Sequence, residues 1–155
     1  MIKVLLYLKF IFVVFLIIMM GNLIINRLDY TRVKKCITDA RRNKSISDIE
    51  AKELVAELNS AKIVEPQDIP SNLVTMNSIV KLSFLNSNKD VQFRIVYPNE
   101  ANLKDNRISI FSPIATALIG YKVGDIVEWI VPAGLTQLKI DEIVYQPEAA
   151  GNFDL

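Results

Sequence analysis

Residues 107–125 read RISIFSPIATALIGYKVGD, and the fold turns on how this stretch is read. Residues 107–111 form a short alternating run that predicts a strand. Pro113 suits the first position of a helix, where its missing N–H costs nothing, and Ser112 before it is a natural N-cap. Ala117 and Leu118 continue that helix. Gly120 and the turn Lys122-Val123-Gly124-Asp125 end it. A strand that runs straight into a short helix and leaves through a glycine turn predicts one helix laid against a sheet.

The flanks supply the sheet. Downstream, residues 126–131 read as a strand containing Trp129, Ala133-Gly134 as a turn, and 136–145 as a last strand. In that strand the inward set shifts from Leu138 and Ile140 to Ile143 and Tyr145, an odd step that predicts a bulge near Asp141-Glu142. Upstream, Val80, Leu82 and Phe84 alternate with Ile79, Lys81 and Ser83. Residues 86–89 then turn, and Val91, Phe93, Ile95 and Tyr97 alternate in their own strand. A polar loop with Pro98 and residues 102–106 leads back to Arg107. The expectation is an α+β domain with five strands, mostly antiparallel, around one short helix.

Before Pro66 and Pro70 the period becomes helical. Asp29 is the expected N-cap of a helix carrying Val33, Ile37 and Ala40 on one stripe. Arg41-Arg42-Asn43-Lys44-Ser45 reads as a turn. Ser47-Asp48-Ile49-Glu50 has the form of a capping box, and Ala51, Leu54, Leu58 and Ala61 continue the second helix. Two helices of about 15 residues make an antiparallel hairpin roughly 22 Å long. Its narrow apolar stripes suit a two-helix coiled coil that buries little surface by itself. The expected divisions are an apolar segment at 1–21, the hairpin at 22–65, a linker at 66–73 and the sheet domain at 74–155.

The apolar segment reads MIKVLLYLKFIFVVFLIIMM over its first twenty residues. Its unbroken run from Phe10 to Met20 is shorter than the roughly 20 residues a spanning helix needs. Extending it over residues 4–25 reaches that length by taking in Lys9, Gly21 and Asn22, so an inner-membrane anchor and an over-extended reading frame starting in truth at Met19 or Met20 are both open. If the segment spans, Arg27, Arg32, Lys34 and Lys35 outweigh Lys3 and Lys9 and place the remainder in the cytoplasm.

Composition excludes much chemistry. The 155 residues carry 18 basic and 17 acidic side chains, a net charge of +1, which gives no general pull towards nucleic acid. There is no histidine, so no Ser-His-Asp or Cys-His pair can form, and Cys36 is the single cysteine. A lone thiol builds neither a disulfide nor a zinc site. No phosphate-binding loop of the form GxxxxGK[ST] occurs, and Gly120, Gly124 and Gly134 read as turn glycines. No catalytic site, metal site or cofactor is expected. Trp129, Tyr145 and Cys36 are expected to pack in the interior.

The stretch 107–125 resembles the C-terminal domain of Gre transcript-cleavage factors in its strand, its Ser-Pro-Ile-Ala helix start, its Leu-Ile-Gly exit and its Gly-Asp turn. Val74-Thr75-Met76-Asn77-Ser78, the segment FRIVYPNE at 93–100, and Tyr145-Gln146-Pro147-Glu148-Ala149-Ala150-Gly151 are similar to the nucleoside diphosphate kinase regulators within that superfamily. The resemblance covers residues 23–155, is strongest over 74–155, and does not reach 1–19. It implies a coiled-coil hairpin joined to an FKBP-like domain that binds RNA polymerase at its secondary channel, as a monomer in the cytoplasm. Phe111, Ser112, Pro113, Ile114 and Ala115 become the candidate polymerase contacts, a corner with a small apolar surface and free amides. Gre factors carry acidic residues at the hairpin tip that help hold a catalytic magnesium. The tip here holds Arg41, Arg42 and Lys44, with Asp48 and Glu50 beside them in capping positions, so transcript cleavage is not expected. The basic tip residues suit either a solvated turn or contact with DNA, RNA or acidic walls in the elongation complex. No proline-binding aromatic pocket is visible, and isomerase activity is not expected. Two alternatives to polymerase regulation are a membrane-tethered interaction module built on the same fold and a direct regulator of nucleoside diphosphate kinase.

Overall fold

The structure, a computed structural model, describes residues 23–87, 89–131 and 134–155, without the side chains of 129–131. The apolar segment 1–21 and the side chain of Trp129 therefore lie outside the described residues. The chain divides into two compact units, one up to Val64 and one from Glu65 onward.

The first unit holds strand β1 (Ile24–Asn26), helix α1 (Arg27–Arg42), helix α2 (Asp48–Ser60) and strand β2 (Lys62–Val64). Asn26, not Asp29, is the N-cap of α1: its side chain accepts the Asp29 amide at 2.7 Å and donates to the Asp29 carboxylate at 3.0 Å. The chain enters from a strand, so the extended residue that ends the strand takes the capping geometry, and Asp29 falls three places inside the helix. Ile37 and Ala40 of α1 and Ala51 and Leu58 of α2 are buried, with Val33 and Leu54 half-buried. The helices run in opposite directions, since Tyr30 donates to Asn59 at 2.6 Å near one end and Arg41 meets Asp48 at 2.6 Å at the other.

Arg41 and Arg42 belong to the last turn of α1, where their positive charge complements the negative end of the helix dipole, and the connection proper begins at Asn43. Lys44 adopts a left-handed φ of 61° there, and Asn43 Oδ1 accepts from the Ser45 amide and hydroxyl. Ser47 and Glu50 form the capping box in full, at 3.2 Å and 2.7 Å. Ser47→Ala leaves the Glu50 amide without its acceptor, a loss of about 1 kcal/mol. The expected readout is faster amide exchange through the first turn of α2, by about fivefold. Burial raises the Glu57 carboxyl above the usual carboxylate range.

β1 and β2 pair in parallel, Ile24 with Lys62, Ile25 with Ile63 and Asn26 with Val64. This small sheet was not expected, because three-residue strands are too short to display a period. It ties the start of α1 to the end of α2, and Leu23 and Ile25 are buried.

The second unit is a five-stranded sheet in the order β5-β4-β3-β7-β6 with one short helix. Its elements are β3 (Ile79–Phe84), β4 (Lys89–Val96), β5 (Arg107–Ser109), α3 (Pro113–Leu118), β6 (Ile126–Val131) and β7 (Gly134–Tyr145). All neighbours are antiparallel except β4 and β5, which are parallel. Val80, Leu82, Leu138 and Ile140 are wholly buried on one face of the sheet, with Ile95, Ile108, Leu118 and Val127 joining them in the core. Ile69 and Leu73 are also buried, so packing of this unit starts ahead of Val74. The expected bulge is present, since Lys81 pairs with Glu142 and Leu82 with Ile140, skipping Asp141. A second irregularity skips Val144 and brings Tyr145 opposite Ile79. Tyr145 is thereby turned out of the core, half-buried beneath the Arg94 guanidinium at 5.7 Å. Cys36 is half-buried on α1 and not sealed in the interior.

Candidate functional site

The strand-to-helix corner forms as its residues dictate, although β5 stops at Ser109 and residues 110 and 111 turn. Ser112 is the extended N-cap of α3, accepting the Ala115 amide at 3.3 Å, with Pro113 in the first turn. Thr116 Oγ1 donates back to the Ser112 carbonyl at 2.7 Å, and the Phe111 amide donates to Ser109 Oγ at 3.1 Å. The Ser112 amide is held by the Ser109 carbonyl at 2.8 Å. The amides of Phe111, Ser112 and Ala115 are thus engaged within the corner, and the free donors expected there are absent at those three positions. What remains for a partner is apolar: Pro113 is exposed, and Phe111 and Ile114 are half-buried. Ala115 is fully buried and supports the corner from inside. Just beyond α3, burial and then the Asp125 carboxylate raise the Tyr121 phenol, which stays neutral past its usual range.

At the end of the helix pair, Asp48 is bound to Arg41 at 2.6 Å and Glu50 accepts the Ser47 amide at 2.7 Å. Arg42 reaches Asp39 only at 3.8 Å, and the side chains of Arg41 and Arg42 are largely exposed. Lys44 is exposed as well. Among the described residues, no group of three or more His, Cys, Asp or Glu side chains is placed to hold a metal ion.

Two segments far apart in sequence meet in a buried polar lock. Thr75 Oγ1 donates to Glu148 Oε2 at 2.9 Å, while the Thr75 amide donates to Ser78 Oγ at 3.1 Å. Asn77 takes a left-handed φ of 61°, and its amide donates to the Ile95 carbonyl at 2.7 Å. Gln146 Nε2 donates to the Pro70 and Leu73 carbonyls at 2.9 and 2.7 Å, and its Oε1 is buried without a partner among the described residues. These roles carry no periodic signal, and the likeness of both segments to one family marked the segments without assigning them roles. Gln146→Ala strands the buried Leu73 carbonyl but also removes the unsatisfied Oε1. The net expected loss is about 2 kcal/mol, read as a lower urea midpoint.

The family model described as "Transcription elongation factor, GreA/GreB, C-term" matches residues 69–145, which is the sheet unit up to the end of β7. The chain is 38% identical over 135 residues to the "Regulator of nucleoside diphosphate kinase" of Escherichia coli K12, covering 85% of this chain and 96% of that protein. It is 43% identical over 90 residues to the transcription elongation factor GreA of Thermoanaerobacter pseudethanolicus, covering 58% of this chain and 57% of that one. The solved structure of a "Prokaryotic transcription elongation factor GreA/GreB from Nitrosomonas europaea" is 32% identical, with a TM-score of 0.66, over 79% of this chain and 99% of that chain. The corner at 111–115 and the first half of the polar lock fall inside the matched region, and the likeness to the Escherichia coli protein extends over nearly its whole length. The chain therefore belongs to the GreA/GreB transcription elongation factor family, and within it to the nucleoside diphosphate kinase regulator type.

Proposed function

We propose that this protein binds RNA polymerase and regulates elongation without stimulating transcript cleavage. In this reading α1 and α2 act as a coiled-coil hairpin that enters the secondary channel. The sheet unit, built on an FKBP-like plan, docks at the channel rim through Phe111, Pro113 and Ile114, with Ser112 capping the helix that presents them. The protein acts as a monomer in the cytoplasm and competes with other factors that use the same channel. Nucleic acid lies near Arg41, Arg42 and Lys44 only within the elongation complex. The effect on nucleoside diphosphate kinase in the name of the Escherichia coli relative is read as indirect, through transcription.

The observation that carries the absence of cleavage is the state of the tip carboxylates. Magnesium takes hard oxygen ligands, and a factor that recruits it must offer carboxylates at its tip. Here Asp48 is neutralised by Arg41 at 2.6 Å and Glu50 is committed to the capping box, while Arg42 and Lys44 add positive charge beside them. Such a tip offers a divalent cation no cluster of carboxylates among the described residues. A paused elongation complex incubated with the protein and magnesium tests this directly. The RNA is expected to keep its length; shortened RNA would overturn the non-cleaving reading and leave polymerase binding standing.

A further inference from the structure

We propose a second binding surface, on the sheet face turned away from Val80 and Leu82, that takes a carboxylate-bearing segment of a partner protein. Strand register aligns Arg107 with Arg94, Arg94 with Ile79 and Ile79 with Tyr145, one row across β5, β4, β3 and β7. Two arginines directly opposite each other on adjacent strands repel, and a sheet that serves only itself avoids such a pair. Elsewhere on this face the cations have acidic partners: Lys81 meets Glu142 at 2.6 Å and Lys139 meets Asp141 at 3.7 Å. Arg94 instead lies over the Tyr145 ring at 5.7 Å and meets no carboxylate among the described residues. Its Nε and that of Arg107 are both buried and without a hydrogen-bond partner among the described residues. Each guanidinium is thus packed along one edge; the charge of Arg107 is met by Asp105 on an exposed turn, and that of Arg94 by the Tyr145 ring alone among the described residues.

Arg107 shows the chemistry the row accepts. Its terminal nitrogen holds the Asp105 carboxylate at 3.1 Å, and Asp105 stands on an exposed turn, steadied by Asn102 at 2.7 Å. That carboxylate is 59% exposed and open to exchange with one from outside. On this strand face Ile79 and Tyr145 stand in the same row as the charges. Two guanidinium groups side by side on neighbouring strands, next to an aromatic ring, match an acidic stretch of polypeptide that lays carboxylates on Arg94 and Arg107 and apolar atoms on Tyr145. The polymerase reading is not a premise of this surface.

The test follows the arginine Nε–Hε signals of the full chain by NMR during titration with hexaglutamate, hexaglutamine or inorganic phosphate. Hexaglutamate is expected to move the Arg94 and Arg107 signals, with little response to the other two. Arg94→Gln and Arg94→Lys are each expected to weaken the response about tenfold, since a planar fork holds a carboxylate where a point charge does not. Lys81→Gln, on the same face, is expected to leave it unchanged, and unperturbed amide spectra identify folded variants. The proposal is overturned if hexaglutamate moves neither signal, if phosphate moves them equally, or if Lys81→Gln weakens the response as much as Arg94→Gln.

Discussion

Leu82→Ala is expected to lower the stability of the sheet unit by about 3 kcal/mol, within the range for leucine truncation in a packed core. Leu82 is wholly buried on β3, the middle strand, with Val91 opposite it on β4 and Ile140 on β7. Both flanking strands are fixed by their own pairings, so the site cannot collapse around the lost atoms. Lys81, one residue away, faces outward and meets Glu142 with both side chains about half exposed. Lys81→Ala is expected to cost less than about 1 kcal/mol. Urea midpoints of the two variants measure the contrast. A one-residue slip would exchange the two faces, so equal or reversed effects would show the register to be wrong.

The second large effect concerns the corner. Pro113→Ala together with Ile114→Asp is expected to weaken polymerase binding by about 100-fold, the loss typical of removing an interface hot spot. In the proposed docking Pro113 and Ile114 supply the apolar contact, and a carboxylate set into it would be desolvated without compensation. The fold is expected to survive. Ser112 still caps the helix, Ala115 and Leu118 still anchor it from inside, and an acid in the first turn suits the helix dipole. Titration of labelled protein against core RNA polymerase, with circular dichroism to verify folding, measures the loss.

Much of the fold was legible because local rules agreed with one another. Ser112 as cap, Pro113 in the first turn, the Ser47–Glu50 box and the alternation of Val80 and Leu82 each rest on chemistry confined to a few residues. The parts that were missed depend on tertiary context. Asn26 displaces Asp29 as the cap because a short parallel strand precedes the helix, and three residues give that strand no readable period. The bulge at Asp141 showed in the shift of apolar positions, but the one at Val144 did not. It turned Tyr145 from an expected core residue into the support for Arg94. The corner was identified by resemblance, and its geometry buries Ala115 and engages three of its amides in internal hydrogen bonds. Glu148 gave no sign that it would be buried against Thr75, because a contact across 73 residues leaves no pattern in either segment.

The most direct measurement is co-purification of the full chain with core RNA polymerase, repeated with a cleavage-competent Gre factor as competitor. Retention that the competitor displaces, and that the Pro113→Ala, Ile114→Asp variant loses while folded, is the expected result. A folded parent chain that is not retained, or one retained equally by parent and variant, would contradict docking through this corner.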